Sequence, residues 1–126
     1  MEKKLVFEYI RDSDGTSEFE KFLDSMPLKD AAKLLAVIEK TEKYGLLVAA
    51  QNQWVKKLES NLFELRSKVG SNIQRAIYFH VVGDHYIITH GFTKKTQKTP
   101  EPEKKRARET RDRFLKEENN GNSKSK

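Results

Sequence analysis

The chain contains no cysteine. That excludes a disulfide framework, a thiolate nucleophile and a cysteine-based zinc site, and it suits a reducing, cytoplasmic setting. No apolar run approaches the roughly 18 residues that a membrane-spanning helix needs, so no membrane association is expected. Met1-Glu2-Lys3-Lys4-Leu5 carries no long apolar stretch, so no secretory leader is expected either. There is no internal repeat. His80, His85 and His90 are the only histidines, and no Asp or Glu at metal-ligand spacing accompanies His90. No metal or other cofactor is expected.

What is present is one ordinary domain of 126 residues, 36% hydrophobic and 35% charged. Those fractions describe a lean core under a heavily charged surface. Seven Phe, four Tyr and one Trp beside many Leu, Val and Ile argue against disorder. The net charge is +6, and it is uneven. Residues 1–60 carry 10 Lys/Arg against 11 Asp/Glu, whereas residues 61–126 carry 15 against 8. A polyanion would therefore sit on the second half. Solubility, or an acidic protein partner, would use the same charge.

Lys4 to Ile10 is short, β-branched and aromatic, and reads as a strand. Asp12-Ser13-Asp14-Gly15 is turn chemistry. Ser17 followed by Glu20 fits a capping box, and Phe19, Phe22, Leu23 and Met26 continue it as a short helix. Pro27 suits a first helical turn, and Leu28, Ala31, Leu35 and Ile38 form the stripe of a second helix ending at Gly45. Residues 46–61 have no clear pattern beyond a loop around Gln51-Asn52-Gln53. Leu62–Ser67 reads as a strand, 68–71 as a turn, Ile73–Val82 as the longest strand, Gly83-Asp84 as a hairpin turn and His85–Phe92 as the return strand. Thr99-Pro100 should cap and open a charged helix to about Glu118 whose narrow apolar seam includes Ala107 and Phe114. Residues 1–118 form the expected domain, and 119–126 a disordered polar tail. The order β-α-α-β-β-β-α predicts an α+β domain with helices on an antiparallel sheet.

With Gly83 and Asp84 at the turn, His80 faces Ile87, Ile77 faces His90 and Arg75 faces Phe92. Tyr78 and Tyr86 then fall on opposite faces, while Ile77, Phe79, Ile88 and Phe92 share one. A tight 68–71 turn puts Arg66 nearly opposite Ile73. Arg66, Arg75, Lys94 and Lys95 thus converge on one end of the sheet, where cations repel one another unless an anion completes the site. A phosphate backbone would do so. Charge and parity alone leave a second reading open, in which Arg66 pairs with a carboxylate and Lys94, Lys95 and Lys98 are solvated. Trp54 reads as a packing anchor or part of a protein interface rather than as a base stacker.

Leu62-Phe63-Glu64-Leu65-Arg66, then Gln74-Arg75-Ala76-Ile77-Tyr78-Phe79, then His90-Gly91-Phe92-Thr93-Lys94-Lys95-Thr96-Gln97-Lys98-Thr99-Pro100 resemble the RelE/HigB-like toxins of type II toxin–antitoxin modules, nearest in pattern to the phage-derived HigB-like branch. The resemblance covers about residues 54–115. It implies a RelE-like α+β fold with helices on a twisted antiparallel sheet. It implies an endoribonuclease that cuts messenger RNA on the ribosome, and a cognate antitoxin, in this branch a HigA-like helix-turn-helix protein.

RNA can be cut by its own 2′-OH without a metal, if the enzyme orients the attack, stabilises the phosphorane and moves two protons. The resemblance places the catalytic arginines at Arg66 and Arg75, with Lys94 and Lys95 on substrate backbone or leaving group. Lys57, Lys68 and Lys98 would contact RNA, and His90 is a possible general base. RelE proper has lysines where this chain has Leu62 and Glu64, and no Tyr follows Tyr86, so the proton-transfer residues stay open. The alternative is a ParE-like toxin that shares the fold but inhibits a protein such as DNA gyrase.

Overall fold

Ser17 starts the first helix as its chemistry predicts. In the computed structural model, which describes the backbone of residues 3–124 and the side chains of 3–119, the Ser17 hydroxyl accepts from the Glu20 amide at 3.2 Å and caps α1 (Glu18–Ser25). Phe19 is the fully buried anchor of that helix. Pro27 flanks the start of α2 (Leu28–Tyr44), and Gly45 ends it with φ 91°, its amide donating to the Thr41 carbonyl at 2.9 Å.

The stretch without a pattern holds two short elements, α3 (Leu46–Gln51) and β2 (Val55–Glu59). Both are too brief to display a period. Only Ala49 is buried in α3, and β2 carries adjacent exposed Lys56 and Lys57 that mask its alternation.

The sheet runs β1-β5-β4-β3-β2, with β1 (Val6–Tyr9), β3 (Leu62–Val69), β4 (Asn72–Val82) and β5 (His85–Lys94). It is mixed rather than wholly antiparallel, because β1 lies parallel to β5. Helices separate β1 from the other strands, so no hairpin dictates its direction. One face carries α1 and α2 over Phe7, Leu65, Ala76, Tyr78 and Ile88. The other carries α4 (Glu101–Lys124) through Ala107, against Leu62, Ile77 and Phe92, with Phe114 edge-on to Phe79 at 5.7 Å. The narrow seam expected for this helix is what docks it. Its backbone continues through Lys124, and the last two residues of the expected tail lie outside the described residues.

Two registers differ from expectation, and both differences matter. The β3–β4 turn is centred on Gly70-Ser71, with Gly70 at φ 62°, so Arg66 stands directly across from Arg75 and Lys68 across from Ile73. In the β4–β5 hairpin, Arg75 faces Phe92 and Ile77 faces His90 as predicted. Thr89 is then an extra residue on β5 and Val81 one on β4, so His80 faces Tyr86 and not Ile87. Between these bulges the facing alternation shifts by one. Tyr78 and Tyr86 therefore share a face, with ring centroids 5.8 Å apart, and Ile88 joins them rather than Ile77 and Phe79.

Gly91 is set by packing, not by a turn. A Cβ built there would overlap the Phe22 ring and lie 2.9 Å from the Arg75 carbonyl oxygen. Gly91→Ala should therefore cost about 1–3 kcal/mol, seen as a lower urea midpoint at unchanged slope. An unchanged midpoint would mean that α1 is not held this closely on β5.

Candidate functional site

Neighbouring positions on antiparallel strands point to the same face, so the register brings Arg66 and Arg75 together on the α4 side. Two guanidinium groups there would repel. Glu64, two residues before Arg66 and completely buried, answers them. Arg66 donates from Nε to Glu64 Oε1. The other carboxylate oxygen accepts from the Thr99 hydroxyl at 2.7 Å, and Arg75 Nη1 reaches that same hydroxyl at 3.4 Å. One carboxylate thus ties two strands to the segment before α4. The repulsion foreseen among these cations is met in part from inside the protein.

Arg75 is fully buried, with its guanidinium carbon 5.7 Å above the Phe92 ring. Burial pulls its pKa down, Glu64 opposes that, and Arg66 adds to it. An arginine starts so high that it keeps its charge. Nη2 donates to the Thr96 carbonyl, and Nε is buried without a partner. Arg66 is more accessible, its side chain 14% exposed. Its Nη1 donates to Gln97 Oε1 at 3.0 Å and its Nη2 to the Gln97 carbonyl. Gln97 itself is exposed, so it is the partner of Arg66 that an incoming anion could displace.

Lys94, Lys95 and Lys98 are all exposed on the segment these arginines hold. Lys94 and Lys68 both pair with Ile73, from either side, and so flank the arginine row toward the end of the sheet. Helix α4 starts at Glu101, one residue later than Thr99-Pro100 suggested. Thr99 is therefore not its cap, and its buried hydroxyl serves Glu64 instead. Lys57 stands across from Phe63, on β2, apart from the arginines.

A groove of about 470 Å³ opens beside Arg66, between α2, β3 and the turn before β2. Lys33, Lys40, Arg66 and Lys68 line it with Trp54 and Gln97. Sequence reading missed Lys33 and Lys40, which look like ordinary solvated positions of an amphipathic helix. It also missed the role of Glu64. The signal for that was present, since Glu64 is the lone carboxylate between Glu59 and Asp84.

His90 is placed elsewhere. It is 2% exposed, with Nδ1 3.0 Å from the Thr89 hydroxyl and Nε2 3.0 Å from Glu103 Oε1. It lines a different cleft with Glu18, Arg106 and Glu109, and the Phe92 ring contacts both it and Arg75. Burial holds its pKa below the usual 6.5, outweighing the hydrogen bond to Glu103. Among the described residues no group of three His, Asp or Glu could hold a metal ion.

A mixed sheet covered on both faces, with paired arginines beside a lysine-rich segment, defines a small basic α+β domain. Residues 21–112 match the model of a family described as "Phage derived protein Gp49-like (DUF891)". The chain belongs to that family, a family of toxin–antitoxin toxins of the RelE/HigB-like kind. No curated protein matches it.

Removing the buried carboxylate strands two cations, so Glu64→Ala should destabilise the fold by about 3 kcal/mol, measured by urea unfolding. A loss within error would show that Glu64 does not organise the arginines. For His90 the sign follows from its lowered pKa. Below about 6.5 the unfolded chain takes up a proton that the folded chain resists, so stability falls as pH drops through that value. His90→Gln should flatten this part of the stability profile between pH 5 and 7, and an unaltered slope would count against the assignment.

Proposed function

We propose that the protein is the toxin of a type II toxin–antitoxin module and an endoribonuclease that cuts messenger RNA on the ribosome. One observation carries this reading. Arg66 and Arg75 face each other across β3 and β4, on a buried carboxylate, beside the exposed Lys94, Lys95 and Lys98. A phosphodiester displacing Gln97 would meet the fork of Arg66 with Arg75 charged behind it. That is the electrostatic arrangement that 2′-OH attack requires, because negative charge builds on the phosphorane oxygens. The lysines would hold flanking phosphates and assist the leaving oxygen, with Lys68 beyond them. His90 secures α4 in this reading and takes no part in proton transfer. Family membership implies an antitoxin. A HigA-like helix-turn-helix protein that covers the basic site would inhibit it.

A second reading has its own support. The β3 positions where RelE-type toxins carry lysines are Leu62 and Glu64, both buried, and Glu64 is committed to Arg66 and Thr99. A ParE-like inhibitor of a protein target would not need those lysines.

Controlled induction in bacterial cells, with primer extension on translated messages, separates the two. Discrete cuts should appear and should vanish when translation initiation is blocked. Arg66→Gln should lower cutting by roughly 10²-fold while the protein stays folded. Growth arrest without cuts would overturn the nuclease reading in favour of the protein target.

A further inference from the structure

We propose that the groove between α2, β3 and the 52–54 turn is a nucleotide subsite, where one base of single-stranded RNA stacks on Trp54 and Lys33, Lys40 and Lys68 hold the adjoining phosphates. The proposal rests on the nuclease reading and extends it, because Arg66 lines this groove as well as facing Arg75.

The groove is built by the way β2 ends. Pairing between β2 and β3 begins at Val55 and Leu65. Just before it, Gln53 adopts φ 61° and turns the chain. Trp54 is then pinned at both ends of its peptide. Its amide donates to the Ala49 carbonyl at 2.9 Å, and its carbonyl accepts from the Arg66 amide at 2.8 Å. These bonds fix its backbone beside Arg66, and its half-buried side chain packs against the core beneath α2. Beyond the Arg66 bond β3 has no strand partner on its outer side among the described residues, and Lys33 reaches over from α2 to donate to the Lys68 carbonyl.

Charge in the groove is of one sign. Lys33, Lys40, Arg66 and Lys68 line it, and among the described residues none of the lining side chains is a carboxylate. Lys40 Nζ sits 5.7 Å from the centroid of the Trp54 ring. A base entering over the ring would take that place, and the ammonium would move to the phosphate that arrives with it. Ser67, which lines the groove, is 5% exposed, and its hydroxyl is buried without a hydrogen-bond partner. The volume, about 470 Å³, falls within the range of small-ligand sites.

Single-stranded nucleic acid is the ligand these features fit. It brings phosphates for the lysines and a flat π-face for the indole, and the amides of Asn52, Gln53 and Gln97 line the same groove for base edges. An acidic protein segment would use the lysines and leave the indole and amides idle.

Trp54 is the sole tryptophan, so its emission reports on this groove alone. A short, dye-labelled 2′-O-methyl oligoribonucleotide, which cannot be cut, is titrated into the full chain. Anisotropy of the dye and Trp54 emission are followed together. Saturable quenching that tracks the anisotropy is expected, with Lys33→Ala/Lys40→Ala weakening binding about tenfold or more. Three results would overturn the proposal: RNA bound with Trp54 emission unchanged, no RNA bound, or the double variant binding as tightly as the parent. Quenching by a polyglutamate peptide but not by RNA would also overturn it, in favour of an acidic protein partner. Message cuts in cells with a silent Trp54 would remove the subsite and leave the nuclease. RNA-dependent quenching without cuts would remove the nuclease and leave an RNA-binding groove.

Discussion

The buried carboxylate of Glu64 is the constraint on which the rest of this molecule hangs. Two arginines directly opposite on neighbouring strands would ordinarily destabilise a sheet. Here one of them is fully buried as well, which adds a desolvation cost. Glu64 offsets both terms by bonding Arg66 at one oxygen and Thr99 at the other. Because Arg75 also reaches the Thr99 hydroxyl, the same carboxylate fixes where β5 gives way to α4. The lysines between them are thereby presented at the end of the sheet rather than trailing into solvent.

The arrangement is organised but not saturated. Arg75 spends its donors on Thr96 and Thr99 and keeps one buried N–H unpartnered, while Arg66 turns its outer edge to the exposed Gln97. Two guanidinium charges against one carboxylate leave the cluster positive, and Lys68, Lys94, Lys95 and Lys98 add to it. Donors fixed in this way would suit the proposed anion-stabilising role, since little reorganisation would be needed when a phosphate arrives.

Much of this was legible in the chain. Ser17 and Gly45 mark helix ends because their chemistry is local, and Gly83-Asp84 sets the hairpin that puts Arg75 opposite Phe92. What was not legible depends on counting single residues through space. The extra residues at Thr89 and Val81 leave no mark in a hydrophobic pattern, yet they move Ile88 and Tyr86 to the other face. Shifting the β3–β4 turn to Gly70-Ser71 moved Arg66 from Ile73 to Arg75, which strengthened the expected convergence. The parallel direction of β1 was not legible because helices, not a turn, join it to the other strands. Glu64 read as a missing lysine when it is the counter-charge of the site. His90, a natural base by residue type, is bound to Glu103 in another cleft.

The most direct test of this account is to titrate inorganic phosphate into the ¹⁵N-labelled protein while following the arginine side-chain resonances. The Arg66 guanidinium signals should move saturably, and in Glu64→Gln the Arg66 and Arg75 signals should lose their fixed positions. Arg66 signals that stay still in a folded protein would contradict it.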